Sequence, residues 1–331
     1  MTPPPAATDF LAAHGFAAAA IEALPGDAGF RRYFRLHRGP RPALLLAAPP
    51  DREDLGPFLR MAGILREGGL SVPAILAADP AHGLALIEDF GERLYAGVLT
   101  EANAEALYDA ATDALATLQA LPPPADLPPW DKAAMAGAAA ATFLDWWWPA
   151  SFGAPASPAL RDEFMAALAS LLAPLAMAPA CLVHRDYFAG NLFWLAEREG
   201  VKKVGVIDFQ DAARGHPAYD LVSLVEDARR DLPAGIAERE IRRFLGARPD
   251  LDPGAFRAAC VALAAVRHLR VAGLWVRLAL RDGKPGYLVH GPRTWARLAA
   301  ALARPEAAPL AAFFARHVPP ERRGSPALAA A

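Results

Sequence analysis

The sequence predicts an α+β protein of two lobes: a small, mostly antiparallel β lobe with one helix over residues 1–90, and a larger, mainly helical lobe over 91–331. Three observations carry this expectation. Short apolar or alternating runs separated by turn residues fill the first 90 positions. Beyond Gly91 the texture changes to long amphipathic segments, with one brief β interruption. The chain has 331 residues, 54% of them hydrophobic, which suffices for two compact lobes and excludes a disordered polypeptide.

Taken in order, Thr8 stands where an N-cap belongs, and a short helix is expected from there to about residue 18, weakened by Gly15. Strands follow over 20–24, 30–36 and 43–48, divided by the turns Pro25-Gly26-Asp27 and Arg38-Gly39-Pro40. Residues 54–67 set Leu55, Phe58, Leu59, Ala62 and Leu65 on one helical face, and Gly68-Gly69 ends that helix. Strands over 74–78 and 84–89 complete the small sheet, and a linker near 89–93 follows. Helices are expected over 101–121, which stops at three prolines, and over 132–148 and 158–177. Short strands over 181–184, 192–195 and 203–209 interrupt them, and helices resume at Tyr219. The longest, 254–280, mixes apolar positions with arginines at helical spacing, and the low-complexity tail from Arg322 is expected to fray. A cleft between two lobes is the usual place for a cofactor.

The net charge is −2, from 34 basic and 36 acidic side chains, so nothing points to nucleic acid or an anionic membrane as partner, and no obligatory protein partner is implied. Cys181 and Cys260 form no Cys-x-x-Cys pair and no metal framework. The first ten residues lack the basic and apolar regions of a signal peptide. Residues 164–183 carry no charge over 20 positions, a length that spans a bilayer. They hold Pro174 and Pro179 and run into His184-Arg185-Asp186, so they read as a buried helix followed by a core strand. The expected location is cytoplasmic.

Three pieces carry chemistry: His184-x-Asp186, Asn191 five residues later, and Asp208 at the end of the apolar run 204–207. Phosphoryl transfer needs positioning and charge neutralisation more than covalent help. Asp186 is the candidate catalytic carboxylate, orienting an acceptor hydroxyl and taking its proton. Asn191 and Asp208 offer the hard oxygen ligands that magnesium wants while it bridges ATP phosphates. Unrelated surface acids would not combine all three at these offsets.

The run from His184 to Asn191, HRDYFAGN, with Ile207-Asp208-Phe209-Gln210-Asp211 and Gly215-His216-Pro217-Ala218-Tyr219-Asp220-Leu221, resembles the aminoglycoside phosphotransferase family, relatives of the protein kinases. The resemblance implies a protein-kinase-like fold, ATP and Mg2+ as cofactors, and a bracing role for Asp220 and His184 at the catalytic loop. Within that family the chain is similar to the bacterial cell-wall amino-sugar anomeric kinases. The pieces are Gly26 to Phe34 (GDAGFRRYF), Ala48-Pro49-Pro50, the stretch from Asp220 to Asp231, and Arg281-Asp282-Gly283-Lys284-Pro285. This implies phosphorylation of the C1 hydroxyl of N-acetylmuramate or N-acetylglucosamine in peptidoglycan recycling. The rival enzyme is a kinase of aminoglycosides or another small-molecule hydroxyl, and the rival of another class is a nucleotide-binding pseudokinase.

The chain departs from the kinase pattern in having no Gly-x-Gly-x-x-Gly loop, Gln210 as the third residue after Ile207, and no lysine before Lys132. The strand that should carry a phosphate-binding lysine reads ALLLAA. Arg31 or Arg32 is the candidate replacement, with Arg35 nearby; the alternative is solvated arginine. The backbone near Glu88, with Phe90, is the candidate adenine contact. On the acceptor side, residues 219–231 read as one helix with Asp220, Ser223, Asp227 and Arg230 on a shared face. Asp211 and Asp227 are candidates for sugar hydroxyls, and Arg229 or Arg230 for a carboxylate. Trp146-Trp147-Trp148 offers an aromatic platform or, more simply, core.

Overall fold

A computed structural model describes residues 2–25, 30–37 and 41–327, apart from the side chains of 176 and 177. The expected turns at Gly26-Asp27 and Arg38-Gly39-Pro40, and Gly29, lie outside the described residues. The chain divides into two compact units, Met1–Leu118 with Ala189–Ala212, and Gln119–Phe188 with Ala213–Ala331. The expected boundary at residue 90 is therefore replaced: the hairpin around residues 192–206 belongs to the first unit, because its backbone bonds to residues 71 and 93.

In the first unit, α1 (Ala7–Ala13) precedes β1 (Ala20–Ala23), β2 (Arg32–His37) and β3 (Ala43–Ala47). Then come α2 (Gly56–Glu67), β4 (Ile75–Asp79), β5 (Leu84–Glu88), α3 (Tyr95–Val98) and α4 (Ala104–Ala120). The five strands form one antiparallel sheet in the order β1-β2-β3-β5-β4. Strand alternation sorts its side chains. Phe34, Leu36, Ala43, Leu45, Leu84 and Leu86 point to one face and bury against Phe10 and Leu11 of α1. Tyr33, Arg35, Leu44 and Ile87 point to the other. Helix α1 stops at Ala13, earlier than expected, and Gly15 beyond it takes φ 84°, a backbone that favours glycine.

The hairpin Leu192–Trp194/Val204–Val206 joins this unit through Val206 N–H to Ser71 O, 2.7 Å, and Trp194 N–H to Arg93 O, 2.8 Å. Only glycine fits at 205, since a Cβ there would stand 2.8 Å from the Phe90 ring.

The second unit contains a three-stranded sheet, Pro129–Trp130, Ala213–Gly215 and Cys181–Val183, and eight helices among the described residues. These are α5 (Lys132–Thr142), α6 (Trp148–Phe152), α7 (Pro158–Leu172), α8 (Ala218–Val225), α9 (Ile236–Ala247), α10 (Pro253–Leu280), α11 (Gly291–Leu302) and α12 (Ala308–His317). The uncharged stretch 164–183 splits into the end of α7, a 3-10 turn and the strand Cys181–Val183, the helix-then-strand reading of the sequence. Helix α10 is long and apolar enough to cross a membrane, yet 83% of its most apolar window is buried inside the fold.

The expected single helix over 132–148 breaks into α5, a π turn over Phe143–Trp147, and α6. Where it breaks, Gly273 of α10 lies so close to Thr142 that a Cβ would meet its carbonyl carbon at 2.3 Å. Trp147 is fully buried on Phe143, and Trp148 is buried on Phe152, so those two rings are core and offer no open platform. The tail does not fray at Arg322: Arg322 donates to Ser151 O at 2.7 Å, and the Trp147 indole donates to Gly324 O at 2.8 Å.

Candidate active site

In the first unit, the free face of the sheet lines a cavity of about 250 Å³ with apolar walls from Leu24, Leu44, Phe58, Ile87 and Phe193. Asn191 and Asp208 stand at its edge together. The 3-10 turn Ala189–Asn191 and the strand before Asp208 are tied by Ile207 N–H to Asn191 O, 3.1 Å. Asp208 has φ 64°, and with Arg185 at 75° it is one of two non-glycine residues with positive φ among those described. Such strain persists only where surrounding contacts fix it. Here Phe209 is fully buried and stacks on Phe58 of α2 at 5.2 Å, which pins the turn.

Asn191 Nδ2 donates to Asp208 Oδ2 at 3.3 Å, and Gln210 Nε2 donates to Oδ1 at 2.8 Å. The departure from glycine at 210 thus supplies a second amide that orients the carboxylate. One carboxylate with carboxamide oxygens is a hard donor set, which fits magnesium and not a thiophilic metal. Among the described residues no cluster of three His, Cys, Asp or Glu side chains forms a metal cage.

Arg31 pairs with Glu53 at 2.5 Å and lies over the Phe58 ring at 6.0 Å. Tyr33 lies within the field of Arg31, Glu53 and Asp208; burial, with the two acids, raises its phenol above the usual value against the pull of Arg31. Register puts Arg32 opposite Ala47, so Arg31 sits just past the end of β3, where the sequence lacks its lysine. Arg32 donates to Arg31 O at 2.9 Å. Arg35 is committed elsewhere: it grips Asp89 at 2.7 and 3.3 Å and Glu92 at 3.0 Å. Asp89 also accepts from Gly91 N–H, which shapes the turn after β5. Glu88 turns its carboxylate to Arg198 and to Ala74 N–H, so only its backbone remains for a ligand in the cavity. Phe90 meets Phe193 edge-on at 5.8 Å on the cavity wall. Asp211 is exposed and accepts from Gln210 at 3.4 Å.

In the second unit, the fully buried Asp220 at the start of α8 accepts from His184 N–H at 2.6 Å and Arg185 N–H at 2.9 Å. Burial pushes its carboxyl up, against the pull of His184 and those amides. Asp186 N–H in turn donates to His184 Nδ1 at 3.3 Å. This frame holds the loop with Arg185 at positive φ and fixes Asp186. Burial opposes the Asp186 charge, but the guanidinium groups of Arg270 and Arg267, with His184 and Arg185, outweigh it and hold the carboxyl below its usual range. It is therefore ionised at neutral pH.

The expected helix over 219–231 ends at Val225. Asp227 accepts from Arg229 N–H at 2.8 Å, a local turn that competes with helix. Asp227, Arg229 and Arg230 therefore leave the helical face shared by Asp220 and Ser223. Asp227 is buried, and Arg229 is sandwiched by Phe188 at 4.4 Å and Trp275 at 5.2 Å. Arg230 O accepts from Arg297 at 3.0 Å. Arg267 and Arg270, which stand beside Asp186, were not singled out from the sequence. Their signal is arginine three residues apart inside a mostly apolar helix.

Residues 20–257 match the family model described as "Phosphotransferase enzyme family". The chain is 39% identical to an N-acetylmuramate/N-acetylglucosamine kinase of Caulobacter vibrioides over 95% of this chain and 96% of the relative. It is 37% identical to a kinase of the same name from Pseudomonas aeruginosa, over 87% and 86% of the two chains. Among solved structures, the ADP-bound aminoglycoside phosphotransferase APH(2'')-Ib superposes with TM-score 0.57 at 17% identity, covering 81% of this chain and 90% of that one. At that identity the likeness speaks for the fold, which is protein-kinase-like. With a family model that spans most of its length and relatives this similar end to end, the chain belongs to the phosphotransferase enzyme family and groups within it with the N-acetylmuramate/N-acetylglucosamine kinases.

Proposed function

We propose that the protein is an ATP-dependent kinase that phosphorylates the anomeric C1 hydroxyl of N-acetylmuramate or N-acetylglucosamine, in the cytoplasm, as a step of peptidoglycan recycling. The observation that carries the chemistry is Asp186, fixed by the His184–Asp220 frame and kept ionised by Arg270 and Arg267. The sugar rests on likeness to the two named kinases.

In this reading Asp186 orients the acceptor hydroxyl and takes its proton as the phosphoryl group transfers. Asp208 and Asn191 would hold magnesium, which when bound neutralises charge on the ATP phosphates. Arg31, steadied by Glu53, meets the phosphates with a planar fork in place of lysine. The adenine lies against Leu44, Ile87, Phe193 and the backbone near Glu88 and Phe90. Asp211 and Asp227 contact sugar hydroxyls, while Arg229 and Arg230 shape the acceptor side.

A turnover assay with magnesium-ATP and a panel of N-acetylmuramate, N-acetylglucosamine, kanamycin and choline tests the reading. Turnover of either amino sugar above the others is expected. Turnover of kanamycin alone would make it an aminoglycoside kinase, and nucleotide binding without any turnover would make it a pseudokinase.

A further inference from the structure

Helix α10 carries Arg267, Arg270 and Arg277, spaced by three and seven residues, so all three lie on one face of a mostly apolar helix. Two of them are occupied by the catalytic loop. Arg267 donates to Arg185 O at 3.4 Å, and Arg270 lies beside Tyr219 and Asp186, over the Trp130 ring at 6.0 Å. Arg277 lies two turns farther along, about 10 Å at 1.5 Å of rise per residue. It has no such task. Its Nε, like those of Arg267 and Arg270, is buried and without a hydrogen-bond partner among the described residues. The acid nearest to it, Asp282, is already gripped by Arg281 at 2.7 and 3.0 Å. Burial, with the repulsion of Arg281 and Arg270, lowers the Arg277 pKa against the pull of Asp282. A half-buried cation whose one acidic neighbour is already engaged, on the helix face that serves the catalytic carboxylate, is a place for an anion from outside the protein.

We infer that Arg277 is the residue that recognises an acidic substituent on the acceptor, through a guanidinium–carboxylate contact aligned with Arg270 and Asp186. This rests on the functional reading above and sharpens it. N-acetylmuramate is N-acetylglucosamine carrying a lactyl ether, whose carboxylate lies across the sugar ring from C1. The spacing from Arg270 to Arg277 suits a hydroxyl at Asp186 and a carboxylate farther along the helix. Arg277 then separates the two sugars: the acidic one gains a charge-assisted contact that the neutral one lacks.

The test compares kcat/KM for both sugars in wild type, Arg277→Ala and Arg277→Lys. Loss of a charged hydrogen bond should lower kcat/KM for N-acetylmuramate by roughly tenfold to a hundredfold, mainly through KM. N-acetylglucosamine should change by about twofold or less, and lysine should restore part of the loss, because it keeps the charge without the fork. Equal losses on both sugars would make Arg277 a structural residue, and no loss on either would make it a bystander; both results overturn the assignment and leave the functional reading standing. A wild-type enzyme inactive on both sugars overturns the functional reading, and this assignment with it.

Discussion

Replacing Asp186 by asparagine keeps the shape of the side chain and removes its capacity to take a proton. The Asp186→Asn variant is expected to fold and bind nucleotide while kcat falls about a hundredfold or more, the scale of a positioned base; turnover within a few-fold of wild type would move the role elsewhere. Asp208→Ala removes the carboxylate that Asn191 and Gln210 orient, and isothermal calorimetry should find magnesium-dependent ATP binding abolished, with Asn191→Ala weakened. Unchanged affinity would contradict the metal assignment. Arg31, paired with Glu53, is the proposed replacement for the missing lysine. Arg31→Ala should raise KM for ATP and lower kcat with sugar KM little changed, whereas Arg32→Ala, whose guanidinium reaches the Arg31 carbonyl, should do less. Normal ATP kinetics in both variants and in the double variant would remove the small sheet from phosphate binding. At this scale the sequence singles out Asp186, Asn191 and Asp208 as candidates, because their proposed chemistry is tied to short fixed offsets. It was silent on Arg31 versus Arg32 and on Arg270, because ion pairs such as that with Glu53 depend on tertiary distance.

Among the elements, α8 is the one whose entry controls the loop, since Asp220 in its first turn holds the amides of residues 184 and 185. Its start is shaped by His216, whose Nδ1 accepts from Ala218 N–H at 3.1 Å, so the ring must be neutral. Burial pushes the His216 pKa down to about 4. Between that value and the ordinary 6.5, the unfolded chain binds a proton that the folded chain refuses, so stability falls as pH drops through this window. From pH 7 to 5 His216 alone should cost about 2 kcal/mol. His216→Asn keeps an acceptor for the same amide but cannot titrate, and urea unfolding at the two pH values should show a smaller loss than in wild type. His268, also depressed by burial, adds a slope of the same sign in both proteins. An unchanged slope in the variant would contradict the assignment of His216 as a neutral cap. Helix periodicity predicted α2 and α10 closely, because wide apolar faces leave little choice. It overran at residues 226–231, where the Asp227 carboxylate bonds to the backbone two residues on, and at 143–147, where a tertiary contact with Gly273 accompanies a π turn. The first is a local side-chain competition and the second a tertiary one, and apolar periodicity registers neither.

For the molecule as a whole, composition, alternation in the first 90 residues and long helices beyond them made the α+β class legible. The division of the chain was not: the hairpin 192–206 follows residues 184–191 in sequence, yet its hydrogen bonds to Ser71 and Arg93 join it to the first unit. The reaction class follows from residues and family together, while the acceptor follows from relatives. Phosphorus NMR of the product formed from magnesium-ATP and N-acetylmuramate tests it most directly. An anomeric phosphate, coupled to the C1 proton and leaving a sugar that no longer reduces alkaline copper, is the predicted result; a 6-phosphate, or phosphate transferred only to kanamycin, would contradict it.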